Sequence, residues 1–166
     1  MQPPFRFAEQ VELYQMWNAK RGNRHMPSRA DFTPADLRPW LGDMHLLQVL
    51  DGGRDFLYLV YGTSIGQHHD VEMTRRHVSD WPEDMRIAAM RTYTRVTREA
   101  CPYLVRQNET VHGRLLSNHR LVLPFSGDGS TVDHILVHLH QIPANDEDSG
   151  IFYHPLPPGP RGGENA

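Results

Sequence analysis

Residues 119–141, HRLVLPFSGDGSTVDHILVHLHQ, contain two apolar stretches separated by Gly127-Asp128-Gly129, and they constrain the fold more than any other segment. Apolar and polar residues alternate in both stretches, which is the pattern of β-strands with one buried face. The predicted buried faces carry Leu121, Leu123 and Phe125 in the first strand and Ile135, Val137 and Leu139 in the second. Because glycines supply the positive φ angles of tight or bulged turns, the segment predicts a β-hairpin. One apolar face needs a covering layer, so we expect more strands and helices.

The composition indicates a soluble protein with one main domain. The 166 residues include 17 basic and 20 acidic side chains, and the formal net charge of -3 gives no overall attraction to nucleic acid. The single cysteine, Cys101, excludes an intramolecular disulfide. No stretch approaches the roughly 20 apolar residues of a membrane span, and the N-terminus lacks the order of a signal peptide. We therefore expect a cytoplasmic protein that neither inserts into a membrane nor binds nucleic acid.

Periodicity predicts helices and strands on both sides of the hairpin. An amphipathic helix is expected within residues 1–25, and a long helix is expected from Pro82 to Cys101. Strands are expected at Met44 to Leu50, Asp55 to Tyr61 and Tyr103 to Val111. Residues 143–166 hold acids, prolines and glycines and are expected to form an irregular tail. The main domain would then span residues 26–142, in the α+β class.

Three separated blocks of sequence add a family resemblance. The blocks are Met26 to Phe32 (MPSRADF), Phe56 to Thr63 (FLYLVYGT) and Arg120 to Ser126 (RLVLPFS), the last followed by Asp128-Gly129 and Val132-Asp133. Together they resemble a PAS-like family of alphaproteobacterial proteins, over roughly residues 10 to 142. The resemblance implies a five-stranded antiparallel sheet in the order 2-1-5-4-3, with small helices and one long connecting helix. It also implies a sensory or dimerising role that is regulatory and not catalytic.

Two departures from the family pattern concern the surface. The second strand is apolar on both faces, which predicts that its outer face is covered, either by the N-terminal helix or by a second subunit. The residues expected on that outer or dimer face are Val11, Tyr14, Trp17, Leu57, Leu59 and His138. The other departure is Arg75, which stands where the family usually has glycine, so the backbone there is expected to differ from the family's.

Strand alternation predicts an apolar ligand pocket between the sheet and the long helix. The predicted lining residues are Phe56, Tyr58, Val60, Trp81, Met85, Ala89, Leu121, Leu123, Phe125, Ile135, Val137 and Leu139. Because the chain has no room for an output domain, we expect a stand-alone, homodimeric sensory module that signals to a separate protein partner. The alternatives are a ligand-free dimerising adaptor and a small metal-dependent enzyme.

Histidines are the residues most suggestive of chemistry, yet their spacing does not favour a metal site. His134, His138 and His140 share one strand face, but the outer two are about 20 Å apart by strand rise. The remaining pair is too few, since a catalytic zinc site normally takes three protein ligands. The metal-dependent alternative would use the consecutive residues His68, His69 and Asp70, which need a distant further ligand.

Neither haem nor flavin is expected. Haem-binding PAS domains commonly use a histidine on the long helix, and this helix contains none; His77 only precedes it. Flavin-reactive members need a cysteine before the long helix, whereas Cys101 lies at its far end. No nucleophile elbow, phosphate loop or zinc-protease motif occurs, so no catalytic residue is predicted.

Overall fold

The computed structural model describes residues 5–69, 71–144 and 150–157, without the side chains of residues 67–69. The helices are α1 (Ala8–Arg21), α2 (Pro34–Leu37), α3 (Thr63–His69) and α4 (Glu83–Glu99), with short 3-10 turns at Arg29–Asp31, Arg38–Asp43, Asp51–Gly53 and Val78–Asp80. The strands are β1 (Met44–Leu50), β2 (Asp55–Tyr61), β3 (Tyr103–Val111), β4 (Arg114–Phe125), β5 (His134–Pro143) and β6 (Ile151–Pro155). They pair antiparallel in the order β2-β1-β5-β4-β3-β6. The predicted α+β, PAS-like sheet is therefore confirmed, with one strand added.

The added strand corrects the prediction of an irregular tail. Strand β6 pairs with β3 from Gln107 opposite Ile151 to Tyr103 opposite Pro155. Leu156 follows it, is 1% exposed and donates its backbone N–H to the carbonyl of Pro102. The alternation in β6 spans only five residues among prolines and acids, which is too short for a pattern to stand out.

The β4–β5 hairpin has the predicted strands, but their pairing register places the two apolar sets of side chains on opposite faces of the sheet. Leu121 lies opposite His138, and Val122 lies opposite Val137. Residues directly opposite each other point to the same side of a sheet. The apolar residues Leu121, Leu123 and Phe125 therefore face away from Ile135, Val137 and Leu139, contrary to the prediction that they share one face. Eight residues connect the two strands, and their conformation, not the alternation within each strand, sets this register.

Helix α4 covers one face of the sheet, the inner face, and helix α1 covers the opposite, outer face. On the inner face Phe56 is fully buried and its ring meets Tyr93 of α4 edge-on, with the centroids 5.5 Å apart. On the outer face Trp17 of α1 is 1% exposed and donates its indole N–H to the carbonyl of Pro124, at 2.9 Å. The N-terminal helix is thus part of the same hydrophobic core as the sheet.

Helix α1 itself buries part of the surface that was predicted to be an outer or dimer face. Tyr14, Trp17 and His138 are all buried within this chain, so α1 occupies the place that a second subunit would need. Val11, Leu57 and Leu59 are half-buried. None of the helices in the described ranges has the length and apolarity needed to span a membrane.

Strand β2 is irregular in its pairing with β1. Leu46 lies opposite Val60 and Leu47 lies opposite Tyr58, so Leu59 is an extra residue at a β-bulge. The bulge reverses the alternation, and Val60 shares the outer face with Leu46, contrary to its predicted place in the pocket. The other edge of β2 is covered by Arg75, whose backbone N–H donates to the carbonyl of Tyr58 at 2.7 Å.

Candidate functional site

A cavity lies between the inner face of the sheet and helices α3 and α4. Its volume is about 330 Å³. Strands β1 to β5 supply His45, Tyr58, Tyr61, Gln107, Asn108, Glu109, Thr110, Arg120 and Leu139, while helices α3 and α4 and the segment before α4 supply Ile65, Trp81, Asp84, Met85, Ala88, Ala89, Thr92 and Tyr93. This volume lies at the lower end of the range for small-molecule sites, about 300 to 1,000 Å³.

Aromatic rings form one wall of the cavity. His45 stacks on Tyr61 with the ring centroids 4.2 Å apart, and Tyr58 meets Tyr61 edge-on at 5.3 Å. The indole N–H of Trp81 donates to the hydroxyl of Tyr58 at 3.0 Å, which satisfies the buried indole. These contacts hold the rings against one another, so they form one continuous aromatic surface in the cavity.

The phenol groups of the cavity are neutral hydrogen-bonding groups at physiological pH. Burial raises the pKa of Tyr58, Tyr61 and Tyr93 above the usual value of 10. The positive charge of Arg120, which lines the same cavity, partly opposes this rise at Tyr61 and Tyr93. The cavity therefore combines ring faces with hydroxyl groups beside the guanidinium of Arg120.

Arg120 supplies a positive charge to the lining of the cavity. It lies opposite Leu139 on β5 and Val105 on β3, which places it on the inner face of the sheet. The ion pairs found among the described residues do not include it, and the acids that also line the cavity are Asp84, which is exposed, and Glu109. The Glu109 carboxylate accepts a hydrogen bond from the Asn118 amide. The guanidinium of Arg120 is thus available to an acceptor on a bound molecule.

Only part of the predicted pocket lines this cavity. Tyr58, Trp81, Met85, Ala89 and Leu139 line it as predicted. The inner-face residues Phe56, Ile135 and Val137 are fully buried in the core beside it, whereas Val60, Leu121, Leu123 and Phe125 lie on the outer face.

Sequence reasoning missed His45, Tyr61, Tyr93 and Arg120 as cavity residues. Tyr93 was within reach of the sequence, because it falls on the apolar stripe of the long helix. Arg120 carried no such signal, since a charged residue at the start of an apolar run is normally read as exposed.

The histidines considered for metal binding each have another partner. His134 contacts the Asp133 carboxylate at 2.7 Å, His138 contacts the Gln10 amide at 3.3 Å, and His140 pairs with Glu9. The described residues contain no group of three possible ligands close enough to share an ion. Asp70 and the side chains of His68 and His69 lie outside the described residues, so the metal-dependent alternative stays a prediction.

The residues considered for cofactors lie away from the cavity lining. Cys101 follows the end of α4 and is half-buried, and burial raises the pKa of its thiol. His77 forms an isolated bridge with Leu57 at the edge of β2. Neither residue lines the cavity.

Comparison with known proteins gives one informative match. No curated protein sequence matches the chain significantly. The solved structure of an RsLOV variant aligns with 86% of this chain and 73% of its own, at 8% identity and a TM-score of 0.45, which is too low to carry an argument. A family model described as PAS domain matches residues 6–140. The chain therefore belongs to the PAS domain family, a family of sensory and regulatory modules.

Proposed function

We propose that this PAS domain senses a small planar molecule held in the cavity between the sheet and α4. The observation that carries the proposal is the lining itself, in which Tyr58, Tyr61 and Trp81 offer ring faces and hydroxyl groups beside the guanidinium of Arg120. A cavity of about 330 Å³ that sets an aromatic wall beside polar side chains falls within the size range of small-molecule sites.

The position of the cavity suggests how occupancy would reach the rest of the protein. Met85, Ala88 and Ala89 of α4 line it, so a ligand would contact the helix that covers the inner face. On the same helix Ile87 is 48% exposed, which leaves an apolar side chain at the surface. A ligand that favours one position of α4 would shift the population of that position, and a separate protein partner would read the change.

Native mass spectrometry of the untagged protein tests the proposal. We expect a bound mass that denaturation releases, and quenching or enhancement of Trp81 fluorescence on refilling with the released molecule. Ala89→Phe would fill the cavity and remove the bound mass, whereas Ile87→Phe, on the exposed side of the same helix, would retain it. A protein that is empty and whose Ala89→Phe variant behaves as the unmodified chain would instead support the ligand-free adaptor.

A further inference from the structure

A second cleft, on the outer face near the start of α1, is rich in basic groups. Its volume is about 220 Å³. The sheet places its side chains together, because Arg106 of β3 lies directly opposite His119 of β4, and His154 of β6 lies opposite Leu104 of β3. The segment before α1 adds Arg6, and the first turn of α1 adds Gln10.

None of the described residues that line this cleft is acidic. The nearest acid along the chain, Glu9, pairs with His140 on the neighbouring strand. The ion pairs of the described residues include neither Arg6 nor Arg106. Both arginines are exposed at the cleft, so their guanidinium groups are open to an added acceptor.

A contact with an aromatic ring holds the guanidinium group of Arg106 in place. Arg106 lies over the ring of Phe152, with 4.7 Å between the guanidinium carbon and the ring centroid. Such a contact limits the motion of a long side chain and lowers the entropy lost on binding. The two arginines also affect a neighbouring histidine: burial, and then the positive charges of Arg6 and Arg106, lower the pKa of His119 to about 4.

We propose that this cleft binds a small doubly charged oxyanion, a phosphate or phosphomonoester group, through Arg6 and Arg106. A planar guanidinium matches the oxygens of a phosphate with two parallel hydrogen bonds, and two arginines neutralise its charge. His119 and His154 line the same cleft and would add ring N–H donors. Arg106, His119 and His154 lie on the face of the sheet opposite the ligand cavity, whereas Arg120 lines both. The proposal does not depend on the proposed function.

Titration with inorganic phosphate at low ionic strength, followed by NMR of the histidine rings, tests the site. Potassium chloride at equal ionic strength is the blank. We expect saturable shifts at His119 and His154 with phosphate alone, and an upward shift of the His119 pKa because a bound anion favours the protonated ring.

Arg106→Gln and Arg6→Gln should each weaken phosphate binding about tenfold or more, since each removes a charge-assisted contact. Arg91→Gln, which removes an exposed arginine from α4, should change the affinity less than about twofold. Phenyl phosphate identifies the source: tighter binding than phosphate indicates an organic phosphomonoester, and equal binding indicates the free ion. The proposal is overturned if phosphate gives no more shift than chloride, or if Arg91→Gln weakens binding as much as Arg6→Gln.

Discussion

Trp17 donates its indole N–H to the carbonyl of Pro124, and the two residues lie 107 positions apart in the chain. Proline has no N–H, so its strand position cannot donate to the sheet ladder. The carbonyl of this residue instead accepts a hydrogen bond from helix α1. The contact joins the N-terminal helix to a central strand and makes the outer face of the sheet an interior surface.

Replacing Trp17 should therefore destabilise the whole domain. Trp17→Phe removes this buried hydrogen bond, at a cost of about 1 to 3 kcal/mol. Trp17→Ala should cost about 3 to 5 kcal/mol, because it also empties a fully packed site. Urea denaturation measures both, with Leu41→Ala as the control at a side chain that is 39% exposed. A loss below about 1 kcal/mol for Trp17→Ala would show that α1 does not stabilise the sheet.

Gly62 directly follows strand β2, where the backbone of Gly42 passes against it. A Cβ atom on Gly62 would lie 2.5 Å from the carbonyl oxygen of Gly42 and 2.9 Å from the backbone nitrogen of Met44. Backbone atoms cannot rotate away, so Gly62→Ala should destabilise the protein by more than about 2 kcal/mol. Gly127→Ala is the matched control, because its Cβ would meet only the movable Asp133 carboxylate. Equal melting temperatures of the two variants would contradict this explanation of the glycine.

Arg75 adopts the backbone conformation that glycine prefers. Its φ is 66°, and two hydrogen bonds hold this geometry: the N–H of Arg75 donates to the carbonyl of Tyr58, and the N–H of Tyr58 donates to the carbonyl of Arg76. A side chain in this region costs about 1 to 2 kcal/mol, partly offset by the greater freedom of glycine in the unfolded chain. Arg75→Gly should thus stabilise the protein by up to about 1 kcal/mol, while Arg75→Ala should not. Thermal unfolding distinguishes them, and a gain for alanine equal to that for glycine would assign the effect to the side chain.

The bounds of the helices and strands could be predicted from the sequence more accurately than the face of the sheet on which each side chain lies. Strands such as Tyr103–Val111 have the bounds that their alternation predicted, and the family resemblance supplied the sheet order. Arg75 has a positive φ, and the expectation that the backbone here differs from that of the family stays a prediction. The bounds of the strands follow from local alternation and from turn residues, and a single sequence contains both.

The candidate site was harder to predict because two irregularities set its lining. Tyr58 and Tyr61 both reach the cavity although they are three residues apart, which only the bulge at Leu59 permits. Leu121 is an apolar residue buried on the face toward α1. Alternation within β4 therefore did not indicate which face of the strand packs toward α4. Both features depend on pairing between distant strands, and a single sequence does not specify that pairing.

The hydrogen bond between Trp81 and Tyr58 should matter for both stability and ligand sensing. Tyr58→Phe leaves the buried indole N–H without its acceptor, at a cost of about 1 to 3 kcal/mol. The change keeps the ring wall and removes one polar group, so the fluorescence of Trp81 should shift toward that of an unbonded indole. Chemical denaturation and emission spectra measure the two effects. Tyr153→Phe is the control, because it also removes a tyrosine hydroxyl, but one that bonds Thr92 and not Trp81.

Stability should fall as the pH is lowered below about 6.5, because buried histidines resist protonation. The pKa of His119 is lowered to about 4 in the folded chain from 6.5, first by burial, and burial also lowers that of His138. Between these values the unfolded chain binds a proton that the folded chain does not, so the free energy of unfolding rises with pH.

His119→Asn should reduce this slope between pH 7 and pH 5, where the carboxylates, with usual pKa values of about 4, contribute little. The slope from one histidine is at most about 1.4 kcal/mol per pH unit, and less at this half-buried ring. Urea denaturation at several pH values measures it, and His25→Asn replaces an exposed histidine as the control. A slope unchanged by His119→Asn, or reduced equally by His25→Asn, would mean that another group carries the pH dependence.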